Sequence, residues 1–516
     1  MMVHRLQGVW LKRDLRLNDH AALWEASQVG PVIAFYIIEP EVIEAADFDA
    51  VHWEFIADSL REMAEKLAPL NVELRIARGE AVESLRQLHS EFNFEAIWAH
   101  QETGLSHTFA RDIRVRKWCR SVGLCLHELP QNGVIRGLKD RDGWARAWEK
   151  FMGESCQPVS EFKFQATCRI ALPTIPTAEA LGLKTQEGRS IDLRGGESQG
   201  HRMLRSFIEE RGHRYHREMS SPLTAYRSCS RLSPYIAWGN LSMRSIVQAV
   251  RRAAGEGGMP KVAARSFLSR CHWHCHFMQK LESEPAIESR AFNPACDDLR
   301  ADGNDTARLQ AWQAGQTGYP FVDACMRALK ARGWINFRMR AMLVSFAAYH
   351  LWLDFRVFRD WLARQFIDYE PGIHVSQIQM QSGLTGINTL RIYNPTKQGR
   401  DHDAEGNFIR RWVPELSQVA AADIHEPWKM PDMVQIQCAC RIGDDYPHPI
   451  VDHLESVRFA RAKFSELRRS EDYWNHSEAV LHKHGSRKGG VRNKRPKKSK
   501  TKNDRQTQLH LNEKSE

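Results

Sequence analysis

Residues 312–340 read WQAGQTGYPFVDACMRALKARGWINFRMR, and the chain then runs through an apolar segment to FIDYEPGIH at 366–374 and RIYNPTKQG at 391–399. Gly315, Gly318 and Pro320 mark tight turns that open helices, because glycine accepts left-handed backbone and proline presets the first helical turn. The helices so opened carry aromatics and arginines side by side. Apolar residues recur every three or four positions across 260–281, 319–332 and 337–353, so 201–480 is expected to be helical almost throughout.

Upstream the pattern changes. Strands are expected at 8–11, 32–38, 72–77, 96–99 and 124–128, with helices near 20–28, 50–68, 79–90 and 106–121. This repeated order predicts an α/β N-terminal domain with a parallel sheet covered on both faces, followed by a larger all-α domain. No GxGxxG follows the first strand; KRDLRLND stands there, so ordinary dinucleotide binding is not indicated. Ligands of such sheets sit outside the carboxyl ends of the strands. The expected divisions are 1–130 for the α/β domain, 131–200 for a connector broken by Pro158, Pro173 and Pro176, 201–480 for the helical domain, and 481–516 for a disordered basic tail.

At 516 residues the chain is too long for one core. Its 42% hydrophobic and 26% charged residues suit a soluble protein. The net charge of +10 is local: 483–505 holds eleven Lys/Arg against Asp504, and the last eleven residues add −1, which leaves about +1 for 1–482. The tail has too few apolar residues to fold, and it either grips DNA phosphates or acts as a solubilising appendage. Eleven scattered cysteines fit a reducing compartment without a disulfide framework. The N-terminus lacks the apolar core of a secretion signal, and the apolar run 341–353, interrupted by Tyr349 and His350, is too short for a bilayer. A cytoplasmic monomer without membrane association is expected.

The segment 312–399, CSRLSPYIAWGNLS at 229–242 and WLKRDLRLNDHAAL at 10–23 together resemble the photolyase/cryptochrome family, over nearly the whole chain. The resemblance implies FAD inside the helical domain and UV-damaged DNA as partner. It implies that Tyr215 and the run Cys229, Ser230, Arg231, Leu232 and Ser233 bind the FAD pyrophosphate. Serines at a helix start hold free N–H groups, and such ends attract phosphate; Arg231 adds a fixed charge. His274 stands where the family has an arginine near the flavin phosphates. Arg340 and Asp368 match the family's buried ion pair against the flavin ring, and Glu370 falls at a second acid beside it. His374 falls at the residue facing the flavin N5, usually Asn; a histidine there would donate or accept a proton and tune the resting redox state. An antenna pigment of the folate or deazaflavin type often accompanies FAD in this family, and no motif in 1–130 identifies one.

The departures decide what the chain does. The family's photoreduction tryptophans map to Ile378, Phe355 and Asp302, so Trp352, Trp361, Trp334, Tyr349 and Tyr393 are the alternatives for an electron route, although for any one of them a core role is the preferred reading. In the lesion pocket Trp273 matches a stacking aromatic, but the facing tryptophan maps to Met380, the base-bonding acid to Arg270 and a nearby asparagine to Phe337. Arg338 and Arg391 keep the phosphate-contacting pattern. Trp273, Met380 and His374 are therefore the side chains expected at the reacting centre. Six-four repair is disfavoured because 334–342 has no histidine. CHWHCH at 271–276 offers helical i,i+4 pairs suited to zinc, yet the resemblance puts it beside the flavin, and no metal is expected; Cys438 and Cys440 do not reproduce the spacing of the family's iron–sulfur branch. The leading expectation is light-driven splitting of cyclobutane pyrimidine dimers, a lyase reaction. The alternatives are a cryptochrome-like sensor and a light-independent DNA-binding flavoprotein.

Overall fold

A computed structural model describes residues 6–161 and 171–486. Five strands, β1 (Gln7–Leu11), β2 (Val32–Ile38), β3 (Glu73–Arg78), β4 (Ala96–His100) and β5 (Cys125–Leu129), form one parallel sheet in the order β3-β2-β1-β4-β5. Central β1 and β4 are buried along their whole length whereas edge β5 is not, as a sheet covered on both faces requires. The helices Ala21–Val29, Ala50–Leu67, Ala81–Phe92 and Ser106–Ser121 lie within two residues of their expected ends. Local chemistry explains this: His20 accepts from the Leu23 N–H, and Asp49 and His52 form a reciprocal cap on the second helix.

One sheet face packs on the helices Ala81–Phe92 and Ser106–Ser121. The other continues without a break through Trp53 and Phe55 into Tyr235, Trp238 and Phe267 of the helical part. KRDLRLND seals this junction. The Leu15 N–H donates to the Trp238 carbonyl (3.2 Å) and Arg16 to the Gly239 carbonyl (3.0 Å). Arg244 bonds Asp19, and Asn240 donates to the Leu15 carbonyl (2.8 Å). A Cβ on Gly239, whose φ is +72°, would fall 2.2 Å from the Arg13 carbonyl, so only glycine permits this approach.

Three expectations change. The connector 131–200 holds a ten-residue helix, Trp144–Gly153, which buries Trp144, Trp148 and Met152. The run 337–353 is not one helix: Phe337–Ser345 passes into a π turn at Phe346–His350, and Trp352 then takes a left-handed φ of +55°. Arg300 bonds the Ala348 and Ser382 carbonyls (2.8 and 3.0 Å), which holds this break from outside the segment. Residues 481–484, expected to begin the tail, complete the helix Glu471–His484; the rest of the basic stretch, from 487, lies outside the described residues. Among the described residues no helix is long and apolar enough to cross a membrane.

Candidate functional site

The helices Lys261–Ser283 and Phe337–Ser345 both pack on Pro371–Gln381 and between them carry Arg270, Trp273, His274, Phe337, Arg338, Arg340, His374 and Met380. Arg340 grips Asp368 with two parallel bonds (3.1 and 2.8 Å), donates its Nε–H to the Ile335 carbonyl (2.8 Å), and lies 4.2 Å over the Phe366 ring. Asp368 is buried while Arg340 keeps about a quarter of its side chain exposed, a fixed cation presented to the cleft.

Glu370 stands 3.6 Å from His274 Nε2, with both side chains at least nine-tenths buried. Burial alone would lower the histidine, but contacts with Cys275 and Glu370 push it up to about 9, so it is an imidazolium at neutral pH. Among the described residues its Nε2 has no hydrogen-bond partner, Glu370 lying just beyond that distance. His374 behaves oppositely. Its Nε2 meets the Arg359 carbonyl at 2.8 Å and burial pushes the ring down to about 4. A neutral ring bonded in this way carries its proton on Nε2, donated to that carbonyl, so the expected proton donor to a flavin is already engaged.

The loop Cys229–Leu232 joins the helices Pro222–Ser228 and Ser233–Ala237. Arg211, which sequence reasoning missed, takes the carbonyls of Cys229 (2.6 Å), Ser230 (3.2 Å) and Arg227 (3.1 Å). A trans peptide points its N–H opposite its C=O, so the amides of Ser230 and Arg231 face away from Arg211 as an anion cradle requires. The side chains differ from expectation. Ser230 accepts from the Leu232 N–H (3.3 Å), but Ser233 accepts from Trp334 (3.3 Å) and caps nothing. Arg231, at φ +53°, turns its guanidinium to Asp192 (3.6 Å) and the Tyr226 ring (4.5 Å), not into the cradle. Tyr215 packs edge-on to Phe207 and Phe267, and burial raises its phenol.

At the mouth Trp273 lies nearly parallel to Phe277 (5.6 Å), and Arg270, one turn before it, stands 5.5 Å over the 43%-exposed ring of Phe337. Arg338 is half-buried with its Nε unpartnered, Met380 is half-buried, and Arg391 is exposed. In CHWHCH His272 and His276 both pack on Trp144 (5.0 and 5.9 Å), His276 also bonding Arg141, while His274 turns away to Glu370. Asp14, His20 and His100 are the one trio at metal-ligand separation among the described residues. His100 bonds Asp14 (2.7 Å), while His20 Nδ1 accepts from Leu23 (3.1 Å) and turns Nε2 toward the same carboxylate at 3.3 Å.

Of the alternative electron carriers, Tyr349 and Trp352 gather with Phe464 round Arg300, whereas Trp361 sits with Trp312 and Trp334 with Tyr226. Beyond the carboxyl ends of β1 and β2 a cavity of about 60 Å³ is lined by Lys12, Glu39, Glu102, Arg111, Trp238 and Tyr369, among others. Arg111 bonds Glu39, Glu102 and Asp112 there (2.8, 2.6 and 2.9 Å), and burial pushes Glu39 up to about 7.

Residues 8–137 match the family model of DNA photolyase, and 267–466 match that of the FAD binding domain of DNA photolyase. The chain is 31% identical to a deoxyribodipyrimidine photo-lyase of Streptomyces griseus, over 87% of this chain and 97% of that one. It is 26% identical to Cryptochrome-2 of Gallus gallus, over 89% and 82%. The crystal structure of a class III photolyase from Agrobacterium tumefaciens shares the fold, with a TM-score of 0.79 and 24% identity, over 91% of this chain and 99% of that one.

Proposed function

The chain belongs to the photolyase/cryptochrome family, and we propose that it repairs DNA by splitting cyclobutane pyrimidine dimers under blue light. The residues fit FAD: the outward amides of Ser230 and Arg231 suit its pyrophosphate, Arg340–Asp368 its ring, and the unpartnered Nε2 of His274 is a buried donor awaiting an acceptor. When bound and reduced, FAD supplies the excited electron that opens the dimer and takes it back afterwards.

The protein's part is positioning. Arg338 and Arg391 would hold the strand by its phosphates, while the aromatic surface of Trp273 receives a base turned out of the duplex, at little cost where damage has already weakened stacking. Arg270, in place of an acid, presents N–H donors to the pyrimidine carbonyl oxygens, and its guanidinium plane on Phe337 gives it a fixed attitude. The observation that carries the reading is this pairing of Trp273 with Arg270 on one face of one helix, an aromatic platform next to a planar donor. Tyr349 and Trp352, each packed on Phe464, are the oxidisable pair that would serve an electron route for photoreduction.

A second reading, a cryptochrome-like sensor, rests on one observation: no acid stands where dimer-splitting relatives bond the bases. The test is repair of a defined cyclobutane-dimer oligonucleotide by dark-purified, chemically reduced protein. Light-dependent recovery of intact thymines supports the enzyme; FAD-loaded protein with saturating substrate and no recovery transfers the reading to a sensor.

A further inference from the structure

Cations and rings alternate in a row at the surface. Arg231 and Arg332 both lie over the Tyr226 ring, 4.5 and 4.3 Å from its centre. Arg332 also lies over Trp412 (5.1 Å), and Arg411 meets the same ring at 5.6 Å. The row is assembled from distant segments: the helix Pro222–Ser228 supplies Tyr226, the last residue of Pro320–Arg332 supplies its middle, and Asn407–Trp412 supplies Arg411 and Trp412. Arg411 is exposed, while Tyr226, Arg332 and Trp412 are half-buried.

Charge in the row is not balanced. Asp192 accepts from the Tyr226 hydroxyl and lies 3.6 Å from Arg231, so that end is paired. Among the described residues Arg332 and Arg411 make no hydrogen bond or ion pair, and Arg411 acts on Arg332 as a like charge. Glu415, the next acid along the chain, is taken up by Arg327 (2.9 and 2.8 Å). A guanidinium held over a ring keeps its N–H edge free, in the planar fork that meets two phosphate oxygens at once. Its direction is fixed before a ligand arrives, so less side-chain freedom is lost on binding.

The row is also continuous with the face that carries Phe337 and Arg338. Phe337 follows Arg332 by five positions, a span of at most ~18 Å even if extended. Asn336 ties that turn to the Met219 and Ser220 carbonyls (3.1 and 2.8 Å), and Ser221 then caps the helix that carries Tyr226. One turn of duplex rises ~34 Å, so a duplex seated over Phe337 and Arg338 passes within reach of the row.

We propose that Arg332 and Arg411, held in place by Tyr226 and Trp412, grip backbone phosphates of the duplex that flanks the lesion. The phosphates supply the counter-charge that the row lacks, and the contact reads no bases. The inference rests on the DNA binding proposed above and adds to it a second foothold outside the lesion pocket.

The experiment compares FAD-loaded wild type with the double variant Arg332→Gln, Arg411→Gln. Duplexes of about three helical turns, with and without a central cyclobutane dimer, are titrated by fluorescence anisotropy over a salt series. The dimer dinucleotide, which has no flanking strand, is titrated by calorimetry. On either duplex the double variant should bind at least roughly tenfold more weakly. Its slope of log affinity against log salt should fall by about two, because each phosphate contact is worth ~0.9. Binding of the dinucleotide and the preference for dimer over undamaged duplex should match wild type, and replacing both arginines by lysine should retain most of the slope. An unchanged slope on duplex DNA, as a row built for an acidic protein or for packing alone would give, overturns the foothold. So does an equal loss on the dinucleotide. If the double variant fails to fold, Arg411→Gln, at an exposed position, replaces it with an expected slope change of about one. Wild type without dimer repair, beside a variant that still loses slope on undamaged duplex, would remove the proposed function and leave the foothold standing; repair with an unchanged slope would do the converse.

Discussion

The sheet end of the molecule and the cleft between helices bury charge in opposite ways. Beneath the sheet, Arg111 meets three carboxylates, and Asp19 is held by Arg244 and Ser242. Between the helices, His274 Nε2 and Arg338 Nε make no hydrogen bond among the described residues. A saturated network such as the one round Arg111 needs nothing more, whereas the unpartnered donors near Arg340 and Asp368 leave bonding capacity for a ligand. Fold and function are thus held by different kinds of charge in the same chain.

The sharpest way to break this contrast is Arg111→Ala. Removing the hub leaves Glu39, Glu102 and Asp112 buried together, and urea unfolding should register a loss of about 3–5 kcal/mol. A loss under 1 kcal/mol would mean that the sheet-end network is not saturated in the sense argued.

Next in size is Arg340→Leu. It should leave the secondary structure intact by circular dichroism yet weaken FAD binding by ~2–3 kcal/mol, because Asp368 loses its partner and the cleft its cation. Unchanged flavin content on gel filtration would remove the ion pair from the cofactor site.

Trp273→Ala should cost about 1–3 kcal/mol of affinity for dimer-containing DNA, the worth of one stacked base, and little for undamaged duplex. Equal losses on both would make Trp273 a packing residue for Phe277.

The last effect is one of pH. His274 is raised in the folded protein, so its contribution is fully present below its ordinary value near 6.5 and is lost as pH rises toward about 9. Melting temperature should decline over that window, and His274→Gln should flatten the decline. His374, pushed down to about 4, contributes nothing to it.

Much of the fold was legible because its signals are local. Val32–Ile38 is apolar throughout and could only be a central strand, and Asp49 announces the helix that follows it. The break after Ser345 was not legible, since Arg300 imposes it from far along the chain. At the site, the pairing of Arg340 with Asp368 was carried by the family resemblance. Side-chain direction was not: the left-handed backbone of Arg231 sends its charge to Asp192, and the Arg359 carbonyl captures His374. Arg211 went unseen because it binds carbonyls, which every residue offers and no motif advertises.

The most direct test of the account compares wild type and Trp273→Ala, matched for reduced FAD, on one cyclobutane-dimer oligonucleotide under the same blue light. The account predicts steady recovery of thymine by the wild type, none in the dark, and a rate at subsaturating DNA at least roughly fivefold lower for the variant, the kinetic equivalent of ~1 kcal/mol of lost stacking. No recovery by fully loaded wild type, or equal rates for the two proteins, would contradict it.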